Sequence, residues 1–295
     1  MQVAPGKHGP ATSTWLALGA IGLWSSLATL GVALSHVPPF LLTGLSLLIG
    51  SLIALPLSGF RLARWRVPWS TLAVGIYGLF CYHFLLFLAL RLAPPVQANL
   101  VNYLWPLLIV VLAPLLLPGV RLRGIHVLAA LLGFAGAAVV MLDGAATGGD
   151  AGRTAWGYLP AMGAALIWAS YSLLTKRVAP FPTAAIGSFA AVSGLLSLLC
   201  HGVMEPAVVL SPRDWLLLGV IGLGPMGAAF FLWDKALKTG DASQIGILSY
   251  LTPLLSTALL VLTGGRALSP NVVLAGLMIL GAAWLGTRAG RSTRT

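Results

Sequence analysis

Charge is what this sequence has least of. Only 8% of its 295 residues are Asp, Glu, Lys or Arg, against about 25% in a soluble domain, so the chain cannot cover a water-facing surface. Acids are the scarcest: Asp143, Asp150, Glu205, Asp214, Asp234 and Asp241 are all there are, and none lies in the middle of an apolar run. A proton or sodium antiporter usually needs an intramembrane carboxylate, so its absence counts against such coupling and against a dedicated multicationic drug pump. The two cysteines, Cys81 and Cys200, both fall in apolar runs and suggest no disulfide framework or metal site. No Walker sequence occurs, so ATP is not the energy source. The five histidines are scattered at positions 8, 36, 83, 126 and 201, which argues against an intramembrane enzyme: neither metal ligands nor a nucleophile–base set is assembled.

What is abundant is apolar. Hydrophobic residues make up 58% of the chain, and the mean hydropathy is +0.96. Turn signals and charges cut the sequence into ten apolar segments, at 12–35, 38–58, 69–90, 95–117, 124–142, 155–175, 182–202, 214–235, 242–262 and 270–288. About 20 apolar residues suffice to cross the hydrocarbon of a bilayer as a helix. The expected class is an all-α polytopic membrane protein. A net charge of +11 would raise nucleic-acid binding in a soluble protein, but no basic run here is dense enough for it. The first segment is too long for a cleaved signal sequence and reads as a retained helix.

The basic residues give the orientation. With both termini cytoplasmic, 13 of the 17 Lys and Arg fall inside, and only Arg91, Arg153, Arg213 and Arg266 fall outside. The reverse topology breaks the positive-inside rule. The expected location is the bacterial inner membrane.

The chain also repeats itself. Residues 84–108, FLLFLALRLAPPVQANLVNYLWPLL, align without a gap on 231–255, FLWDKALKTGDASQIGILSYLTPLL, and share ten of 25 positions. Leucine matches are cheap in this composition; Gln97/Gln244, Tyr103/Tyr250 and Pro106/Pro253 are not. GLWSS (22–26) likewise echoes LIWAS (166–170). The expected organisation is an N-terminal tail (1–11), a first five-helix repeat (12–142), an extracytoplasmic connection (143–154), a second repeat (155–288) and a C-terminal tail (289–295). Five helices is an odd number, so the second repeat enters the membrane in the opposite sense. Inverted repeats of this kind are common in secondary transporters, whose substrate site lies near the midplane between repeats.

With these paired segments, the chain resembles the drug/metabolite transporter superfamily, in its EamA-like branch, and within it the bacterial aromatic amino acid exporters. The resemblance implies ten helices around a central cavity, lined by the first, third, fourth, sixth, eighth and ninth. It further implies export of small metabolites by alternating access, with no cofactor and no obligate protein partner.

Candidate substrate-binding residues follow from polarity placed where lipid forbids it. Asn99, Asn102, Tyr103 and Pro106 share one helix face by their i, i+3, i+4, i+7 spacing. Unpaired amides cost several kcal/mol in hydrocarbon, so that face points inward. Lining a cavity and hydrogen-bonding a neighbouring helix are both open to the two Asn. The equivalents in the ninth segment are Ser249, Tyr250 and Pro253. Trp24, Trp168, Tyr171 and Tyr82 sit too deep for an interfacial belt, and aromatic walls suit a planar ring or a cation. His83 is the one ionisable residue near the middle of any segment, and a functional candidate by default. Its possible roles are substrate ligation, proton movement or a helix–helix hydrogen bond. Pro106 and Pro253 are candidate hinges, one for each gate. Trp105 has only Thr252 as its counterpart, so the pocket should be lopsided toward aromatic contact on the side of the fourth segment.

The function expected is facilitative export of aromatic amino acids. The alternatives are a proton-coupled cycle through His83 in place of the facilitative one, efflux of aromatic or cationic drugs with or without proton coupling, and a membrane-embedded scaffold. GLGPMG at 222–227 matches a dinucleotide fingerprint, but that requires a preceding strand; inside an apolar segment its glycines allow close helix packing and Pro225 a kink.

Overall fold

The computed structural model describes residues 10–93, 95–143, 155–264 and 270–291, and every regular element among them is helical. Ten helices follow in chain order. Helix α1 joins Pro10–Ser25 to Leu27–Ala33, α2 joins Pro39–Ser51 to Ala54–Leu57, and α3 spans Trp69–Ile76 through Tyr82–Leu92. Helix α4 joins Pro95–Asn102 to Trp105–Leu116, α5 is Gly124–Asp143, α6 is Tyr158–Leu174 and α7 is Ile186–Met204. Helix α8 runs from Pro212–Leu223 into Ala229–Thr239, α9 joins Ala242–Leu248 to Leu251–Gly264, and α10 is Pro270–Arg291. Six of these stretches are long and apolar enough to cross a membrane: Thr12–Ala33, Pro39–Leu57, Trp69–Leu92, Gln97–Leu116, Thr183–Met204 and Pro212–Thr239.

Proline and short polar caps set several boundaries. Pro39, Pro212 and Pro270 open helices, where a missing N–H costs nothing. Helix α8 also begins on a capping box: the Asp214 N–H donates to Ser211 Oγ, and the Ser211 N–H donates to Asp214 Oδ2 at 2.8 Å.

Besides the short breaks in α1 and α2, four helices carry interruptions that fall in two equivalent pairs. Helix α3 widens to π geometry at Tyr77–Cys81, and α8 does so at Gly224–Ala228. In the 147-residue register of the sequence repeat these are the same five positions. Pro225 accounts for the second, since it withdraws a backbone donor; the first has no proline and was not foreshadowed by the sequence. Helix α4 breaks at Tyr103–Leu104 and α9 at Ser249–Tyr250, each just ahead of the paired prolines. Pro106 and Pro253 cannot donate to the carbonyls four residues back. Tighter i→i−3 bonds form at both breaks: Leu104 N donates to Val101 O at 3.1 Å, and Thr252 N donates at 3.0 Å to Ser249 O, the carbonyl that Pro253 leaves without its usual donor.

The most extensive helix pairings are α5 with α10 and α2 with α7, followed by α1 with α8 and α6 with both α3 and α4. Glycine permits the closest of them. A Cβ on Gly50 would lie 2.7 Å from Gly222 O and 2.8 Å from Gly227 Cα, so α2 and α8 touch backbone to backbone. The GLGPMG stretch is thus a packing surface.

Candidate functional site

One cavity of about 570 Å³ lies in the half of the bundle where α1 and α3 end and α4 begins. Of the residues singled out from the sequence, Trp24, Tyr82, His83, Asn99, Asn102, Tyr103 and Trp168 line it. Tyr171, Ser249 and Tyr250 do not. Tyr171 is buried one layer below, its ring against Trp168 at 5.3 Å and filling the space beside Gly78. Ser249 donates to Ile245 O at 3.0 Å inside its own helix. Tyr250 faces away, packed with Ala137 and Ile279 on α5 and α10 and against Gly133. Pro106 is buried but not in the lining, and Pro253 is likewise buried.

The cavity floor is a cluster of rings. Trp24 meets Trp168 edge-on at 5.7 Å, and Trp105 meets the same Trp168 edge-on at 6.4 Å. Phe230 lies 5.8 Å from Trp168, and Tyr82 lies 5.2 Å from it. Such offset and edge-on distances are those aromatic pairs favour. Beneath them Trp233, 1% exposed, sits 5.2 Å from Trp24 and donates from Nε1 to Ser172 Oγ at 3.2 Å. Trp24 and Trp168 are equivalents in the two repeats, as are His83 and Phe230, whose rings lie 6.4 Å apart. Residues that match in sequence therefore meet at the centre of the molecule.

Polar groups sit above this floor. His83 donates from Nδ1 to Leu79 O at 2.6 Å, which fixes the tautomer and leaves Nε2 as the lone-pair nitrogen. Asn102 donates from Nδ2 to the Tyr82 hydroxyl at 3.3 Å, while its Oδ1 is buried without a hydrogen-bond partner. Thr43 Oγ1 and Thr252 Oγ1 are also buried and unpartnered. No Asp, Glu, Lys or Arg lines it among the described residues.

Several contributors escaped the sequence reading of the site. Phe230, Met226 and, from α2, Thr43 line the cavity. Phe230 was legible in principle, because it stands opposite His83 in the repeat register. The contribution of α2 was not, since the resemblance assigned that helix to the periphery. Trp105 and its counterpart Thr252 both line the wall, so α4 supplies a tryptophan where α9 supplies a hydroxyl.

Charged groups gather at the two ends of the bundle. At the cavity end, the buried Glu205 carboxylate accepts from Arg91 Nη2 at 2.9 Å, from His201 Nδ1 at 3.1 Å and from the Phe40 and Leu41 N–H groups. Arg91 also lies over the Phe40 ring. At the other end, Lys238 lies 3.6 Å over the Phe181 ring and 2.7 Å from Asp234 Oδ2, which also accepts from Thr183. Arg91 and Lys238 are equivalents in the repeat. Lys176 donates to Gly240 O at 2.9 Å and closes α6 onto the α8–α9 turn. Burial pushes its ammonium pKa below the usual lysine range, with Asp241 partly offsetting the shift. Trp69 and Trp156 point outward from the bundle, as interfacial anchors do.

Known proteins share this arrangement. A family description, the EamA-like transporter family, matches residues 12–142 and again 155–287. A protein of Ancylobacter novellus named aromatic amino acid exporter YddG is 43% identical over 283 residues, covering 95% of this chain and 98% of that one. The Escherichia coli K12 protein of the same name is 27% identical, covering 94% and 98%. A crystal structure superposes with a TM-score of 0.90 at 42% identity, covering 97% of this chain and 99% of the other. A twice-matched family spanning nearly the whole length, on a bundle of apolar helices, leaves one assignment: this chain is a multi-pass membrane protein belonging to the EamA-like transporter family.

Proposed function

We propose that the protein exports aromatic amino acids across the bacterial inner membrane by alternating access, moving substrate down its own gradient and carrying out no chemical reaction. The observation that carries this reading is the ring-floored cavity without a fixed charge in its lining. A planar side chain can stack there against Trp24, Trp105 or Trp168. Asn99, Asn102, Tyr103, Tyr82 and His83 offer neutral hydrogen-bonding partners for the polar end. Relatives named for aromatic amino acid export support the substrate class.

In this reading ten helices span the bilayer as two inverted repeats with both termini cytoplasmic. Supporting it are the equivalent π segments, the equivalent proline breaks and the meeting of Trp24 with Trp168 at the centre. The cavity then faces outward, and Trp233, Tyr171 and the Lys176–Gly240 bond seal the cytoplasmic half. Pro106 and Pro253 mark the bending points. Tyr171, Ser249 and Tyr250 have substrate roles only in the opposite state, when the sealed half opens.

The test is uptake into liposomes containing the purified protein, with labelled phenylalanine, tryptophan, threonine and a viologen cation. Saturable phenylalanine and tryptophan flux is expected without an imposed pH gradient. Flux of the viologen alone would replace this reading with drug efflux. Uphill movement driven by a pH gradient and lost in His83→Ala would replace the facilitative cycle with a proton-coupled one.

A further inference from the structure

We infer that Trp233, buried beneath the cavity floor in this structure, is a ring contact of the substrate in the cytoplasm-facing state. The inference rests on the proposed export of aromatic amino acids by alternating access and deepens it by assigning a substrate-binding residue to the closed half. In a carrier built from inverted repeats, the two halves exchange surroundings as the site turns from one face to the other. Pairs of equivalent residues then fall into two kinds. Both members of Trp24/Trp168, His83/Phe230 and Trp105/Thr252 line the open cavity, so exchange keeps them in the lining. Leu86/Trp233 is split: Leu86 lines the cavity, and Trp233 is 1% exposed. Exchange of the halves puts Trp233 of α8 where Leu86 of α3 now stands, a tryptophan in place of an aliphatic side chain.

The present contacts of Trp233 place it next to the substrate position. Its ring lies 5.2 Å from Trp24, 5.7 Å from Trp105 and 6.4 Å from Trp168, and all three of those rings line the cavity. A single layer of rings therefore separates Trp233 from the open space. Its Nε1–H donates to Ser172 Oγ at 3.2 Å, a bond that ties α8 to α6. The counterparts of these two helices, α3 and α1, both line the open cavity through Leu86 and Leu27. Opening the cytoplasmic half the way the outer half is now open separates α6 from α8, breaks this bond and bares the indole. A bared indole beside Trp24 and Trp168 offers a planar substrate the offset and edge-on contacts that aromatic rings favour.

Sidedness separates this role from that of a plug. Initial rates of labelled tryptophan uptake are measured in right-side-out and inside-out membrane vesicles, which present the outer and the cytoplasmic face, and vesicles lacking the protein are subtracted. Trp233→Leu, which copies Leu86 into the closed half, should raise KM at the cytoplasmic face at least about threefold more than at the outer face, the size of one aromatic contact. Trp233→Phe keeps a ring and should raise it by a smaller factor, about twofold, with the same sidedness. If Trp233→Leu does not reach the membrane, the sidedness of Trp233→Phe decides. A tryptophan that only seals the floor would change KM equally at both faces or lower Vmax alone, and either result overturns the inference. Failure of the underlying reading looks different: wild-type vesicles that carry neither tryptophan nor phenylalanine would remove the export reading, and this one with it.

Discussion

Helices α3 and α8 hold equivalent positions in the repeat, yet their equivalent residues live in opposite surroundings. Leu86 and Leu90 of α3 line the cavity, while Trp233 and Leu237, at the same register in α8, are each 1% exposed. Both helices carry a π segment one turn earlier, and both end in a cation lying over a phenylalanine ring. Like sequence therefore builds like backbone and like anchors, and the difference lies in which end of the bundle is open. Part of it is written in substitutions: His83 faces Phe230, and Trp105 answers to Thr252. The rest is conformational, and a transporter that alternates must be able to exchange it.

The anchors give the largest contrast to break. Glu205 uses both oxygens, whereas Asp234 leaves Oδ1 unpaired. Replacing Glu205 by Ala should cost about 3 kcal/mol, the low end for a broken buried pair because Arg91 stays 41% exposed. Asp234→Ala should cost at least about 1 kcal/mol less. Thermal unfolding in detergent ranks the two. Next comes the α2–α8 contact. Gly50→Val forces backbone apart and should lower stability by about 1–3 kcal/mol. Gly219→Ala on the same α8 meets nothing within 4 Å and should be neutral or better. The same unfolding assay reads both.

The walls of the cavity give a smaller contrast. Trp105→Ala should lower kcat/KM for tryptophan uptake by about tenfold, and Thr252→Ala by less than about threefold. Equal losses would mean that the lopsided wall has no bearing on the substrate. Smallest are the hinges. Pro106→Ala and Pro253→Ala restore a backbone donor and should each change the transport rate by about twofold through the conformational step. Unchanged rates in both would end the hinge proposal.

Much of this architecture was legible because apolar runs and prolines act locally. The ten apolar segments begin and end within a few residues of the helices, except that α8 runs four residues further, to Thr239, before Gly240 stops it. The proline breaks in α4 and α9 follow from a missing N–H. The π segment of α3 has no such local cause; close packing of Tyr171 against Gly78 is a tertiary contact that no single helix announces. The site shows the same division. Helical spacing put Asn99, Asn102 and Tyr103 on one face, and that face does line the cavity. Transferring the same face to α9 placed Ser249 and Tyr250 there too, but α9 is rotated so that Thr252 and Ser256 reach the wall instead. Periodicity fixes which residues share a face, and only packing decides what the face meets.

Leu90 and Leu237 are identical residues at equivalent positions, one in the open half and one in the sealed half, and they test the exchange of halves most directly. Each is replaced by Cys, in a background with Cys81→Ala and Cys200→Ala, and labelled in vesicles with a membrane-impermeant maleimide. At rest, Leu90→Cys should label from the outside at least about tenfold faster than Leu237→Cys labels from the inside. Under a phenylalanine gradient the first rate should fall and the second should rise. Protection of Leu237→Cys that persists during measured flux would contradict alternating access through this cavity.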